Sequence, residues 1–420
     1  MLFSLVKNEL IKIFCKKKTW FIIIATLCGL VLMNFLMYMQ AEERRKSDLP
    51  ENIIKQIELN IAEYKSRIIE TKETIEDLDK NTDKEKLEYL KENLKDEENQ
   101  LKNEKEYLNQ IKKEMNLPEK TWREKVKEEI DSLNVRKKEI LKLSNRSADN
   151  NQELDNINRS IEQKTYYLDN NVEPIDSYGF SLGGNAMYIF FFLGVGIIGA
   201  LMSVFMSDIV SGECSPPTFK FLLVQPISRT KILVSKIIAI NIVALLIILG
   251  SEFIVNIIGL GIIDGFDSLK SLITVGEEFR KVFRYDTLNM ELINGSGYFI
   301  TYFEFILRGF MYQSVFLITL TSFIFMISSL FKSNIMSMSV SVIITVIGGI
   351  LPSIELLRNG ILKYSFLSYG DVTHLITGWL GERLYVENLT PNFAVIVMLI
   401  TTAVCYMISF LRFKNRDIII

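Results

Sequence analysis

Apolar runs of bilayer-spanning length constrain this chain more than any other feature. About twenty consecutive, mostly apolar residues are needed to cross a hydrocarbon core. Runs of about that length or longer occupy 20–39, 186–206, 232–262, 303–331, 335–351 and 393–411. The spacing predicts an all-α integral membrane protein with six transmembrane helices. Between the first and second runs lies a polar segment, 41–185, with 27 Lys and Arg against 34 Asp and Glu, which leaves the remainder basic although the whole chain carries only −2. The mean hydropathy of +0.21 therefore averages two unlike parts. A single soluble globular domain is excluded. The expected organisation is 1–40, an interfacial helix and first transmembrane helix; 41–185, an extracytoplasmic helical coiled-coil insert; and 186–420, the five remaining spans.

Lys and Arg resist translocation and so mark the cytoplasmic side. With six spans, the short segments of one side carry Lys7, Lys12, Lys16, Lys17, Lys18, Lys220, Arg229, Lys231, Lys236, Lys332, Arg412, Lys414 and Arg416. The short loops of the other side, around 264–302 and 352–392, carry Lys270, Arg280, Lys281, Arg284, Arg358, Lys363 and Arg383, seven spread over many more residues. This bias predicts a multi-pass cell-membrane protein with cytoplasmic termini and an extracytoplasmic insert. The first run follows Lys16-Lys17-Lys18 and lacks a small-residue cleavage site, the pattern of an uncleaved signal anchor. Ahead of it, Phe3, Val6, Leu10, Ile13 and Phe14 recur at helical steps. They predict an amphipathic helix in the membrane interface, or a basic leader that only sets topology.

Within the insert, Ile54, Ile61, Ile68 and Ile75 are spaced by seven, with Ile57, Tyr64 and Leu78 in a companion seam. Leu87, Leu94, Leu101, Leu108 and Met115 form a second set, with Leu90 and Ile111 beside it and Glu97 and Glu104 interrupting it. Shorter seams follow in Val126, Ile130, Leu133 and Ile140 and in Leu154, Ile157, Ile161 and Leu168. Breaks at Asn81-Thr82-Asp83, Asn116-Leu117-Pro118 and 144–151 divide the segment into four helices that return the chain to its starting side. The first two helices would reach about 45 Å at about 1.5 Å per residue. Such a stalk suits capture of a substrate or partner, and equally a spacer or dimerisation element. The mixing of acidic and basic residues argues against nucleic acid as a partner.

Several chemistries lose their residues. Cys15, Cys28, Cys214 and Cys405 all lie in or beside apolar runs, so the insert has no disulfide framework. His374 is the single histidine, more often structural than catalytic in a loop. No metal site or catalytic group is expected. No segment matches the phosphate-wrapping G-x-x-x-x-G-K-[ST] pattern, so the chain supplies no ATPase of its own.

The segment after the second run reads Ser207-Asp208-Ile209-Val210-Ser211-Gly212-Glu213, then Thr218-Phe219-Lys220-Phe221-Leu222-Leu223, then Gln225-Pro226-Ile227-Ser228-Arg229-Thr230-Lys231. Phe219, Leu222 and Leu223 can share one apolar face of a short helix, with Glu213, Lys220, Arg229 and Lys231 charged at the headgroup level. This turn resembles that of ABC-2 type ABC-transporter permeases, where a Gly-Glu pair precedes a short apolar helix, a Pro-x-Ser-Arg turn and a Lys leading into the third span. Lys7-Asn8-Glu9-Leu10 and Ile327-Ser328-Ser329-Leu330-Phe331-Lys332-Ser333 support the likeness, which covers the six spans and not the insert. Cys214-Ser215-Pro216-Pro217 stands where the family usually has a charged stretch ending in Gly. The resemblance implies that Gly212, Glu213, Phe219, Lys220, Leu222, Leu223, Pro226, Ser228, Arg229 and Lys231 form the contact with a separate ATPase subunit, and that ATP acts only through that partner. It also implies a homodimer or a second permease subunit, in contact with membrane lipids.

Charges inside the apolar runs are expensive and tend to pair or to mark a pathway. Glu252 lies in the third run and Glu304 and Arg308 at the start of the fourth. Glu252 and Arg308 lie roughly 31 and roughly 36 Å from the cytoplasmic boundary at helical rise. The matching depth predicts an outer-gate ion pair between them, with snorkelling to the interface as the alternative. Phe266, Leu269, Leu272 and Ile273 point to short interfacial helices within 264–302, and Gly348-Gly349 with Pro352 to a kink or close helix contact. The function expected is the permease subunit of an ABC exporter, with a peptide, antibiotic or other amphipathic molecule as cargo. A membrane-anchored coiled-coil protein without transport, of the phage-infection or secretion-accessory type, and a sensory or resistance module whose insert binds a ligand are the other readings.

Overall fold

A computed structural model describes residues 2–77, 84–115, 120–143, 148–175, 180–192, 196–212, 228–284, 287–354 and 360–414. The helices are α1 (Leu2–Phe14), α2 (Lys17–Ser47), α3 (Pro50–Asp77), α4 (Lys84–Glu114), α5 (Trp122–Leu141), α6 (Ala148–Asp169), α7 (Leu182–Phe192), α8 (Ile198–Met206), α9 (Asp208–Ser211), α10 (Arg229–Glu252), α11 (Leu260–Asp264), α12 (Tyr302–Leu330), α13 (Asn334–Ile350), α14 (Val372–Thr377), α15 (Trp379–Leu384) and α16 (Pro391–Lys414). A π-helical segment, Phe253–Gly259, joins α10 to α11. The chain divides into two compact units, 36–125 and a second made of 1–35 with 126–420.

Four described helices are long and apolar enough to cross a membrane: Lys17–Ser47, Thr230–Ile263, Tyr302–Leu330 and Pro391–Phe413. They coincide with the first, third, fourth and sixth apolar runs. At the second and fifth runs the structure has shorter apolar helices, Ile198–Ser211 and Asn334–Ile350. Their common core includes Met202, Phe205, Leu233, Val243, Phe316, Leu320, Ile324 and Met398, all nearly inaccessible. Small residues bring helices and loops together: a Cβ at Gly348 would lie 2.2 Å from Leu367 Cδ1, so the Gly348-Gly349 pair is a close-contact point.

The segment 264–302 departs from expectation. Apart from one 3₁₀ turn, Asp267–Lys270, it forms four strands, β1 (Leu272–Val275), β2 (Phe279–Arg284), β3 (Thr287–Leu292) and β4 (Tyr298–Thr301). β1 pairs antiparallel with β4, Leu272 opposite Thr301 and Val275 opposite Tyr298. β2 pairs antiparallel with β3, Phe279 opposite Leu292. The cause is local: Ile273, Thr274, Val275, Phe299, Ile300 and Thr301 are β-branched or aromatic, and alternation puts Ile273, Val275 and Ile300 into an apolar cluster with Phe190, Phe305 and Ile376. The fold is thus predominantly helical rather than wholly so.

In the unit 36–125, α3 and α4 pack antiparallel along an apolar seam of Ile57, Ile61 and Ile111, with Ile53, Ile54, Leu101 and Leu108 at its edges. The two interruptions in the second seam are met from the facing helix: Thr71 donates to Glu97 at 3.3 Å and Asn60 to Glu104 at 3.4 Å. Lys72–Glu98 and Lys112–Glu58 fix the same register. Helices α5 and α6 form a second pair around Ile140, Leu154 and Ile157. The Thr121–Glu124 capping box starts α5, with Glu124 Oε2 accepting from Thr121 N at 2.8 Å. Residues 126–185 cluster with the larger unit, and 36–125 is compact by itself. The breaks expected at 81–83 and 116–118 lie outside the described residues, as do 144–147 of the third, whereas 148–151 begin α6.

Candidate functional site

At one end of the helix bundle four segments meet through charges. The sequence Leu-Phe-Ser-Leu-Val-Lys-Asn-Glu-Leu-Ile-Lys-Ile-Phe makes α1 a helix whose buried positions are Val6, Glu9 and Ile13, while Phe3 and Ile11 stay exposed. Its last carbonyls are capped from the next helix: Thr19 Oγ1 donates to Ile13 O and Trp20 Nε1 to Phe14 O at 3.0 Å. Glu9 receives Lys12 Nζ at 2.8 Å on one oxygen and Lys236 Nζ at 3.1 Å on the other. Lys236 rises from α10 and its side chain is only 2% exposed. Asp208, at the start of α9, receives Lys16 Nζ at 3.3 Å and Lys18 Nζ at 3.0 Å. Glu9, Lys12, Lys16, Asp208, Lys236 and Asn334 are among the residues that line a cavity of ≈ 400 Å³.

Beside that cavity α8 and α9 meet at Ser207, which keeps right-handed helical backbone angles. Main-chain groups at this junction take hydroxyl partners from the neighbouring helices. Ser328 of α12 accepts from the amides of Val210 (3.1 Å) and Ser211 (3.2 Å) and donates to Ser207 O at 2.7 Å. Ser337 of α13 donates to the same carbonyl at 2.8 Å.

Burial pushes the Glu9 carboxyl up, but the ammonium groups of Lys236 and Lys12 outweigh it and hold it below the ordinary carboxylate range. A carboxyl depressed by folding stabilises the folded form above its unfolded pKa, and the contribution is lost as pH falls through the folded value. Protection of the α1 amides, taken as the ratio of intrinsic to observed exchange at each pH, is therefore expected to fall on acidification below the ordinary Glu range. Glu9→Gln should abolish that pH dependence, and equal acid sensitivity in the variant would remove Glu9 as its source.

The residues singled out from sequence distribute as follows. Gly212 ends α9, packed against the Asn334 side chain. Ser228 and Arg229 begin α10, and Lys231 is exposed in its first turn. Glu213, Phe219, Lys220, Leu222, Leu223 and Pro226 lie outside the described residues. Gly212, the last described residue before 213–227, lines the same cavity as Glu9, Lys236 and Asp208. Sequence reasoning had counted Lys236 only as a topology signal and Glu9 only as part of a motif.

Glu252 and Arg308 do not pair. Arg308 bonds Glu304 at 2.6 Å, one helical turn away, and donates to Tyr298 Oη at 2.6 Å. Thr301 caps the same turn by accepting from Glu304 N. Glu252 is 1% exposed and accepts from Gln313 Nε2 at 2.7 Å. A shared depth along two helices does not fix their rotation, and Arg308 turns toward the partner at i−4 that costs least to reach. Elsewhere, His374 bonds Asp371, which is 1% exposed and also receives Arg383.

Comparison with known proteins bears on the chain as a whole. The family model described as ABC-2 family transporter protein matches residues 3–418. The chain is also similar to the uncharacterized protein YhcI of Bacillus subtilis (strain 168), 23% identical over 224 residues. That match covers 53% of this chain and 65% of the relative, just under two thirds of its length.

Proposed function

Because the chain belongs to the ABC-2 family of transporter proteins, we propose that it is the membrane-spanning subunit of an ABC exporter, driven by a separate ATPase subunit that docks on residues 212–231. Permeases of this family normally work with a separate ATP-binding subunit. The observation that carries the reading is the family match from residue 3 to 418, which takes in the apolar helices at both ends of the chain. The placing of Gly212 in the wall of the cavity that Glu9 and Lys236 also line supports it, since a docking loop must be held firmly to transmit a push.

In this reading the six apolar runs are six spans, both termini and the 213–227 loop face the cytoplasm, and 41–185 faces outward. Two membrane subunits, either identical or related, complete the pathway. The cargo is an amphipathic peptide or antibiotic, a choice supported only by the outward-facing helical stalk.

Gentle detergent purification of the tagged protein from its native host, followed by mass spectrometry, tests this. A P-loop ATPase is expected to co-purify and to be lost from the Glu213→Lys, Arg229→Glu double variant. Recovery of the chain with envelope or secretion proteins and no ATPase would favour the anchored, non-transporting reading.

A further inference from the structure

Among the described residues, the helices around Glu252 offer it carboxamides and no cation. It closes α10, and the seven-residue π segment starts at the next position, so the backbone beside it has already left the α-helical ladder. Gln313 of α12, also 1% exposed, gives its Nε2 to Glu252 Oε1 at 2.7 Å. That single bond uses half of each group. Among the described residues, Glu252 Oε2 and Gln313 Oε1 have no hydrogen-bond partner, and neither has Nδ2 of Asn256, four residues on from Glu252. The oxygen of Asn256 is already filled by Asn34 Nδ2 at 2.7 Å.

Buried orphaned groups are few in native proteins and each asks for a partner. Two of these three are oxygens on the two members of one bonded pair, and neither can donate while the carboxyl is ionised. A neutral carboxylic acid has an O–H to give, and a carboxamide oxygen can receive it. One proton on Oε2 therefore satisfies both oxygens, as the second bond of a cyclic acid–amide pair. The Asn256 amide, unused in that state, is a donor available to the ionised form.

Neighbouring charges do not offer a competing account. Among the described residues, the side chain that bonds Glu252 is Gln313. On α12, Glu304 and Arg308 bind each other. The other titratable side chains on the packed elements, Tyr312 of α12, Tyr188 of α7 and Cys405 and Tyr406 of α16, are phenols and a thiol and carry no positive charge in either protonation state, while Lys12 and Lys236 both bind Glu9, away from Glu252 on α10. We propose that Glu252 and Gln313 form a reversible proton-binding site within the membrane domain, with Gln313 holding the neutral acid and Asn256 receiving the ionised one. The step is acid–base alone: an O–H bond forms on Oε2 with a proton drawn from water, and breaks again. The proposal goes beyond the exporter reading and stands or falls apart from it.

Infrared spectroscopy of the full-length chain in lipid nanodiscs, titrated from acid to alkaline pH in H₂O and D₂O, tests it. A neutral-acid carbonyl band is expected that shifts down in D₂O and disappears reversibly as pH rises. It should be lost in Glu252→Gln and move to higher frequency in Gln313→Leu, which lacks the acceptor. Should Glu252→Gln fail to fold, Glu252→Asp serves in its place, with a displaced band. Absence at every pH of a band that depends on Glu252 would overturn the proposal by showing a carboxylate that stays ionised. A band that persists into alkaline pH, with the fold intact by circular dichroism, would overturn it by showing a fixed structural acid.

Discussion

Replacing Lys236 by methionine is expected to loosen the attachment of α1, lowering the stability of the membrane unit by about 3 kcal/mol, the lower end of what breaking a buried ion pair costs. Methionine keeps most of the lysine stem, so the change removes the ammonium and little packing. Glu9, whose side chain is 11% exposed, then keeps only Lys12, which is half in solvent and screened. The double variant Glu9→Gln, Lys236→Met should recover most of the loss, because it leaves no uncompensated buried charge. Thermal unfolding in detergent, with hydrogen exchange of the α1 amides, reads both effects. A Lys236→Met protein as stable as the parent, with α1 equally protected, would show that α1 is held by Val6 and Ile13 alone.

The second large effect is expected at Gly378. This residue has φ +99°, and a Cβ built on it would lie 1.9 Å from Glu277 O. Alanine must therefore adopt a left-handed backbone, at about 1–2 kcal/mol, and also push the chain at Glu277 away. That chain is hydrogen-bonded there, Gly276 N to Ile376 O at 3.0 Å and Glu277 N to Thr377 O at 2.8 Å, and each bond lost costs about 1 kcal/mol. The total for Gly378→Ala is about 3 kcal/mol or more. The contact of Trp379 with Phe279, ring centroids 5.2 Å apart, should be disturbed as well, so tryptophan fluorescence together with the unfolding midpoint checks the prediction. Unchanged values for both would mean that the Glu277 strand end can move without cost.

What the sequence revealed, and what it hid, follows from how far apart in the chain the interacting residues lie. Apolar runs and the seven-residue spacing of Ile54, Ile61 and Ile68 are local patterns: four of the six runs carry helices of membrane-spanning length, the second and fifth carry shorter ones, and the isoleucines lie on α3. The Glu304–Arg308 pair was legible too, as a carboxylate four residues ahead of a guanidinium at a helix start, but depth matching drew Arg308 toward Glu252 instead. Glu9 and Lys236 are 227 positions apart, and each alone reads as an ordinary charge near a membrane boundary. The strands were missed for a different reason. Leu272 and Ile273, taken with Phe266 and Leu269, imitate a helical period, and only pairing with 298–301 decides in favour of the two-residue period. Of the proposed docking segment, the ends at Gly212 and Ser228–Lys231 are placed, whereas Glu213 to Pro226 lies outside the described residues.

The last helix of the polar segment bears on how the protein should be cut. Arg159 of α6 hydrogen-bonds the carbonyls of Gly295, Ser296 and Gly297 through one nitrogen, and its guanidinium lies 5.9 Å from the centre of the Phe299 ring. Tyr166 donates to Lys270 O, and Gln163 and Tyr167 bond the main chain of Leu272 at the first strand. A deletion that treats 41–185 as one removable appendage would strip these donors from the β1 edge and the 295–297 turn. One confined to 36–125 would spare every one of those bonds. A shortened protein meant to report on the polar segment should therefore retain α6, or loss of activity would record a damaged sheet edge instead.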